Sequence, residues 1–131
     1  MSEGLRSVGA ITMFIEDRMR AKDFYSRVFD VTVVNEDDVS VAFEFDNMTV
    51  NLLEERAATA LIEPALVGGR DVATRFQLTV WVEDTDAVCT QLRELGIELL
   101  NGPMNREWGL RTATFTDPDG HIWEVAGPIP S

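Results

Sequence analysis

The sequence is poor in the residues that build disulfides, metal centres and nucleophilic sites. Its 131 residues include one cysteine, Cys89, and one histidine, His121. A lone thiol cannot form a disulfide within the chain, and this composition favours a reducing compartment, so we expect a cytoplasmic protein. His121 stands beside a predicted turn, where we expect a surface residue. It would be the only possible base of a Ser-His-Asp set, which argues against that kind of catalysis.

Basic residues and long apolar runs are also scarce. Eleven lysines and arginines stand against 23 acidic residues, for a net charge of −12. Such a charge repels phosphate backbones and anionic lipid, so neither nucleic acid nor a membrane surface is an expected partner. No stretch approaches the roughly 20 apolar residues that span a bilayer, and the start of the chain lacks a signal pattern.

What the sequence does have is an internal repeat. Residues 10–17 read Ala-Ile-Thr-Met-Phe-Ile-Glu-Asp, and residues 77–84 read Gln-Leu-Thr-Val-Trp-Val-Glu-Asp. Each copy is an apolar run that ends in Glu-Asp and precedes a helix-like stretch. A repeat of this kind predicts one domain, spanning residues 1–131, built from two similar modules. Module one covers about 6–56, a linker about 57–73, and module two about 74–127.

The same order of elements is predicted in both modules, namely β-α-β-β-β. A buried strand is followed by an N-cap, Asp17 in module one and Asp84 or Thr85 in module two, and then by an amphipathic helix. Three strands follow, with residues 97–100 as the second strand of module two and Gly102-Pro103 as a loop after it. The last strand, residues 121–125, comes after a tight Pro-Asp-Gly turn.

A family resemblance rests on the end of module two. Residues 108–111 read Trp-Gly-Leu-Arg, and residues 115–125 read Phe-Thr-Asp-Pro-Asp-Gly-His-Ile-Trp-Glu-Val. With the Glu-Asp-helix pattern, these motifs resemble the vicinal oxygen chelate superfamily, which includes glyoxalase I, extradiol dioxygenases, and fosfomycin- and bleomycin-resistance proteins. The resemblance implies an α+β fold of two tandem βαβββ modules, each a half-barrel of mixed sheet with a helix packed outside. It also implies a homodimer whose modules pair across chains.

Metal-using members of that superfamily place ligands on the first and last strands of each module. The resemblance carries these positions to Ala10, Asn51, Gln77 and Glu124. A methyl group cannot coordinate a metal, and Asn is a weak neutral ligand, so fewer donors remain than a catalytic divalent ion needs. We therefore predict no metal and no cofactor. A degenerate site through Glu54, Gln77 or Glu124 stays open as an alternative.

A cavity of aromatic and amide surface is the remaining prediction. Side chains two apart share a sheet face, so Thr12 and Phe14 should line one wall, and Gln77 and Trp81 the matching wall. Arg106 and Arg111 flank Trp108 and could grip an anionic group, or could instead pair with nearby carboxylates. Phe14, Phe43 and Trp81 could instead be ordinary core. The predicted ligand-binding residues are Thr12, Phe14, Phe43, Asn51, Gln77, Trp81, Trp108, Arg111 and Glu124.

Two function classes follow. The first is a binding protein that sequesters an aromatic or polycyclic small molecule, such as an antibiotic in self-resistance, without a metal and without catalytic residues. The second is an enzyme, either a lyase or dioxygenase with a degenerate metal site, or a metal-free epimerase or isomerase that uses Glu124 as base.

Trp123 adjoins Glu124 and should face the opposite side, packed beneath a helix.

Overall fold

The structure is a computed structural model that describes residues 4–131. It contains two compact units, and the chain passes from one to the other between Arg70 and Asp71. Among the described residues, none of the helices is long and apolar enough to cross a bilayer.

The first unit contains a four-stranded mixed sheet. Its elements are β1 (Ala10–Ile15), α1 (Arg18–Val28), β2 (Thr32–Glu36), β3 (Ser40–Glu44), β4 (Thr49–Glu54) and α2 (Glu55–Ile62). The strands lie in the order β1-β4-β3-β2, with β1 parallel to β4 and the other pairs antiparallel. Parallel neighbours need a crossover, and here β1 reaches its parallel neighbour through α1, β2 and β3.

Helix α1 forms where its sequence predicts it. The Asp17 carboxylate accepts hydrogen bonds from the backbone N–H groups of Met19 and Arg20, which satisfies two donors that a helix start leaves open. The helix buries Tyr25 against the sheet, where its ring centroid lies 5.9 Å from that of Phe43. Both rings are fully buried, so aromatic packing between α1 and β3 forms the core of this unit.

The second unit repeats this topology. Its elements are β5 (Gln77–Trp81), α3 (Thr85–Glu94), β6 (Leu99–Asn105), β7 (Leu110–Thr116) and β8 (Ile122–Pro128). The strand order is β5-β8-β7-β6, again with the first pair parallel. Asp84 is the N-cap of α3, and Cys89 and Leu92 pack from this helix onto the sheet. Trp123 is 3% exposed, which confirms its predicted place in the core. The predicted α+β fold of two βαβββ modules is therefore confirmed.

The boundaries differ from the prediction in several places, and β8, predicted at residues 121–125, extends to Pro128. The region taken as linker holds α2, which buries Ala58 completely. Strand β6 begins two residues later than predicted and runs through the predicted loop at Gly102-Pro103, with irregular pairing to β7 between Asn101 and Met104. Bulges of this kind let a strand absorb residues with unusual backbone conformations, such as Gly102 at φ +87°.

Candidate functional site

The second sheet has one face that carries the candidate site. Side chains alternate along each strand, so α3 covers one face with Ala113, Phe115, Trp123 and Val125 beneath it. No helix of this unit covers the other face, which we call the open face. Its strand residues, defined by the pairing of β5, β8 and β7, are Gln77, Thr79, Trp81, Thr112, Thr114, Glu124 and Ala126.

A polar row crosses the middle of the open face. Thr79 pairs with Glu124, and Glu124 pairs with Thr114, so the three side chains lie side by side. The Thr79 hydroxyl donates a hydrogen bond of 2.8 Å to Oε1 of Glu124. The carboxylate is half-buried, and this bond fixes its orientation. A ligand on this face would therefore meet a positioned hydrogen-bond acceptor.

A second row of side chains, which starts at Trp81, runs beside the polar row. Trp81, Ala126 and Thr112 are paired across three strands, about 10 Å from end to end at the strand spacing of a sheet. Ala126 and Thr112 are small and buried, whereas the Trp81 side chain is 73% exposed. Trp108 belongs to the turn between β6 and β7 and is 67% exposed. Two indoles are thus exposed in this unit, one on the open face and one in the turn between β6 and β7, although exposed tryptophan is uncommon on a protein surface.

Arg106 links Trp108 to the open face. Its Nε donates to the Thr112 hydroxyl at 2.9 Å, and its Nη2 donates to Oδ1 of Asn101 at 3.1 Å. The guanidinium carbon lies 5.8 Å from the centroid of the Trp108 ring, which is cation–π distance. These contacts hold a positive charge on the open face beside an exposed indole.

Arg111, predicted to contact a ligand, lies on the other face of the sheet. Its Nε and Nη2 each donate to a carboxylate oxygen of Asp86 in α3, both at 3.0 Å, and its Nη1 donates to Asn105. The hydrogen bonds to Asp86 raise the pKa of the Arg111 guanidinium. Because its charge is neutralised in a bidentate pair beneath the sheet, Arg111 is removed from the candidate site.

Phe43 is also removed. It is 0% exposed and packs on Tyr25, because it pairs with Val50 on the side of the first sheet that faces α1. The other predicted residues of the first unit lie on the opposite side. Thr12 pairs with Asn51 in the first unit as Thr79 pairs with Glu124 in the second, so the repeat extends to strand register. Phe14 is the counterpart of Trp81 and is half-buried.

The single histidine and the single cysteine have structural environments. Nδ1 of His121 lies 2.7 Å from Oδ2 of Asp117, and the side chain is 17% exposed, so the histidine is half-buried at the turn and is paired with a carboxylate. Oδ1 of Asp117 accepts from the backbone N–H groups of Asp119 and His121, which closes the turn before β8. Burial raises the pKa of the Cys89 thiol, which disfavours the reactive thiolate.

Comparison with known proteins agrees with this topology. Residues 7–125 match the Glyoxalase/Bleomycin resistance protein/Dioxygenase superfamily. The chain belongs to this superfamily. Among curated proteins, it is 28% identical over 122 residues to the uncharacterized protein YraH of Bacillus subtilis (strain 168), a match that covers 88% of this chain and 93% of YraH.

Two solved structures of the glyoxalase-like fold show how different its members can be. TnmS3, an antibiotic binding protein from Streptomyces sp. CB03234, has a TM-score of 0.73 and 23% identity, with 98% of this chain and 100% of TnmS3 covered. Lactoylglutathione lyase from Agrobacterium tumefaciens also has a TM-score of 0.73, at 17% identity, with 92% of each chain covered. At these identities the likeness shows the fold alone.

Metal-using members of the superfamily raise the question of whether this chain offers a matching donor set. In the second unit, Gln77 and Glu124 lie on the open face, and Thr79 already bonds one Glu124 oxygen. In the first unit, the matching strand positions are Ala10 and Asn51. The chain thus offers at most two strong candidate ligands at these positions, fewer than the three protein ligands of a catalytic site. Within residues 4–131 no group of three or more His, Cys, Asp or Glu side chains is placed to hold a metal ion. The residues do not fit a catalytic divalent site.

Proposed function

We propose that this glyoxalase-like protein binds a planar aromatic small molecule on the open face of its second sheet, without a metal, and sequesters it unchanged. The observation that carries the proposal is the pair of exposed indoles, Trp81 on that face and Trp108 in the adjoining turn, where Arg106 connects it to Thr112 of the same face. Flat ligands bind by stacking on such rings, because both surfaces lose contact with water together.

Polar groups beside the indoles support the same proposal. Ligand sites are mostly apolar, with a few positioned polar groups that fix orientation. Here the Glu124 carboxylate, held by Thr79, is an acceptor, and Gln77 on the neighbouring row offers an amide. The fold of TnmS3, an antibiotic binding protein, supports a polycyclic antibiotic as one candidate ligand.

Catalysis is the second candidate, and the position of Glu124 favours it. A carboxylate oriented at the centre of the open face could serve as a general base in a metal-free isomerase or epimerase. The similar fold of a lactoylglutathione lyase shows that this architecture can carry an active site. The two candidates differ in one observable, since only an enzyme returns its ligand chemically changed.

Loss of either exposed indole should weaken ligand binding. We expect Trp81→Ala and Trp108→Ala each to lose about 1–3 kcal/mol of binding free energy, a fall in affinity of about 5- to 150-fold, because a stacked ring is removed. Trp81→Phe should retain most of the affinity. The measurement is isothermal titration calorimetry with a panel of planar polycyclic antibiotics, including an anthracycline and a phenazine.

The control for that titration is Leu66→Ala, which removes an apolar side chain that is 93% exposed and belongs to the other unit. The Leu66→Ala variant should bind each ligand with the same affinity as the wild-type protein. Unchanged affinity in both tryptophan variants would contradict the stacking proposal. Mass spectrometry of the recovered ligand addresses the second candidate. A new product that forms with wild-type protein and fails to form with Glu124→Gln would assign the protein to the enzymes.

A homodimer is part of the proposal. The superfamily resemblance implies a dimer whose modules pair across chains around a ligand cavity, so that Trp81 and Trp108 would line this cavity and not a contact between chains. A second copy of the chain is the partner that the superfamily resemblance suggests. Light scattering at micromolar concentration should give twice the mass of the 14.6 kDa chain. A mass equal to one chain would contradict this prediction.

A further inference from the structure

We propose that Arg106 sets the ligand class of this site, by selecting planar aromatic molecules that carry an anionic oxygen group, such as a carboxylate or a phenolate. The inference rests on the proposed function, because Arg106 acts on a ligand already stacked on Trp108. It adds the requirement that the ligand carry a negative charge, which stacking alone does not impose.

The guanidinium of Arg106 is oriented before any ligand arrives. Nε is fixed by the Thr112 hydroxyl and Nη2 by Oδ1 of Asn101, at 2.9 and 3.1 Å. The backbone on both sides is fixed as well, since the N–H of Arg106 donates to the carbonyl of Leu110 and the N–H of Gly109 donates to the carbonyl of Arg106. Five N–H donors point outward from a guanidinium, and two known partners leave others to bind an oxygen anion. A side chain held in this way loses little further freedom on binding.

The charge of Arg106 is not neutralised by a carboxylate. Throughout the described part of the chain, the ion pairs of arginine and lysine involve other residues, namely Arg18, Arg20, Lys22, Arg27, Arg56 and Arg111. The two partners of Arg106, a threonine hydroxyl and an asparagine amide, are neutral. In a chain with 23 acidic residues, an arginine on the open face without an acidic partner is suited to an anion from outside.

Arg106 and Glu124 also place opposite charges at two points of the open face, which would orient a bound ligand. Glu124 belongs to the row of Thr114, and Arg106 is bonded to Thr112 in the next row, about 7 Å away along the strand. An anionic group would be repelled from Glu124 and attracted to Arg106. Hydroxyl or amine donors elsewhere on the ligand would be attracted to Glu124. A flat ligand with an acid at one end and donors at the other would therefore bind in one orientation.

The test compares two probes of the same ring system and nearly the same size, the anion anthracene-2-carboxylate and the neutral anthracene-2-carboxamide, at pH 7.5 and low salt. Wild-type protein should bind the carboxylate at least about 10-fold more tightly than the amide. Arg106→Gln should weaken carboxylate binding about 10- to 100-fold and change amide binding by less than about 2-fold. Arg106→Lys should lie between, since lysine keeps the charge without the planar fork.

The matched control is Arg111→Gln, which removes the same charge from the opposite face of the same sheet. It should leave the affinity for both probes unchanged. Circular dichroism melting of each variant verifies that it is folded under the titration conditions. Preference for the carboxylate should also weaken in 0.5 M salt.

Failure of this inference is distinct from failure of the proposed function. Equal affinity of wild-type protein for both probes, or equal loss for both in Arg106→Gln, would overturn the anion selection while leaving the aromatic site intact. Equal loss in Arg111→Gln and Arg106→Gln would also overturn it, since the effect would then be one of net charge. Absence of binding for both probes at millimolar concentration would overturn the aromatic site itself and this inference with it.

Discussion

Gly102→Ala should lower the free energy of unfolding by about 2–5 kcal/mol, the sum of backbone strain and overpacking. Gly102 has a φ of +87°, a conformation that residues with a Cβ rarely adopt. An added Cβ would also overlap the carbonyl oxygen of Thr112 and would lie 2.7 Å from the Cα of Ala113. Both atoms belong to the backbone of β7, so the strand itself would have to move. Urea denaturation measures the change.

Two other glycines separate the causes of that loss. Gly109 has a φ of +91° with nothing within 4 Å of an added Cβ, so Gly109→Ala should cost only the strain, about 1 kcal/mol. Gly9 has open space and no positive φ, so Gly9→Ala should be close to neutral. If Gly102→Ala were no more destabilising than Gly109→Ala, the close contact between β6 and β7 would not be the reason that position 102 needs glycine.

Trp123→Ala should destabilise the protein by about 3–5 kcal/mol, the usual range when a large core side chain is deleted. Trp123 is 3% exposed in the second unit, on the face covered by α3. Removing its indole leaves a cavity that the neighbouring side chains can fill only in part. Thermal or urea denaturation measures the loss, and any ligand affinity that remains in folded protein should be close to that of the wild type.

Trp81→Ala is the matched comparison, because the same side chain is deleted from the other face of the same sheet. Trp81 is 73% exposed, so its loss should change stability by no more than about 0.5 kcal/mol while weakening ligand binding. The two variants should thus show opposite patterns of stability and affinity. A Trp81→Ala protein as unstable as Trp123→Ala would show that the open face is covered in solution by something that needs this indole.

The sequence predicts the fold well, because the spacing of apolar residues along each strand and helix is visible locally and because the same pattern occurs in both modules. Alternation along β5 and β8 places Gln77, Trp81 and Trp123 on their observed faces, and the Asp17 cap forms as predicted. Boundaries were predicted less well. Helix α2 forms in a stretch that contains no strong cap, since its N-cap, Glu54, makes no side-chain hydrogen bond to the helix. Its existence depends on the burial of Ala58, which local sequence does not reveal.

Where strand parity was applied, the predicted side chains lie on the expected sheet face, and where it was not applied, Arg111 and Phe43 lie on the opposite face. Arg111 lies an even number of residues from Phe115, a core residue, and parity along β7 therefore places it on the face of α3. Phe43 lies two residues from Val41, which is also fully buried. Arg106 could not be assigned by parity, because it lies in the turn after a bulged strand, where alternation no longer specifies direction.

The shared register of the two units has a consequence for how this protein could change. Strand pairing is made by backbone groups, so side chains at positions 10 and 51 can be exchanged without altering the ladder that holds them. The backbone positions matching Gln77 and Glu124 are retained in the first unit, where alanine and asparagine now stand. Each sheet therefore keeps the geometry of its two strand positions independently of the chemistry placed there. Substitution at these positions would change the chemistry of a sheet face without requiring a new fold, because function depends on the side chains that a fold carries.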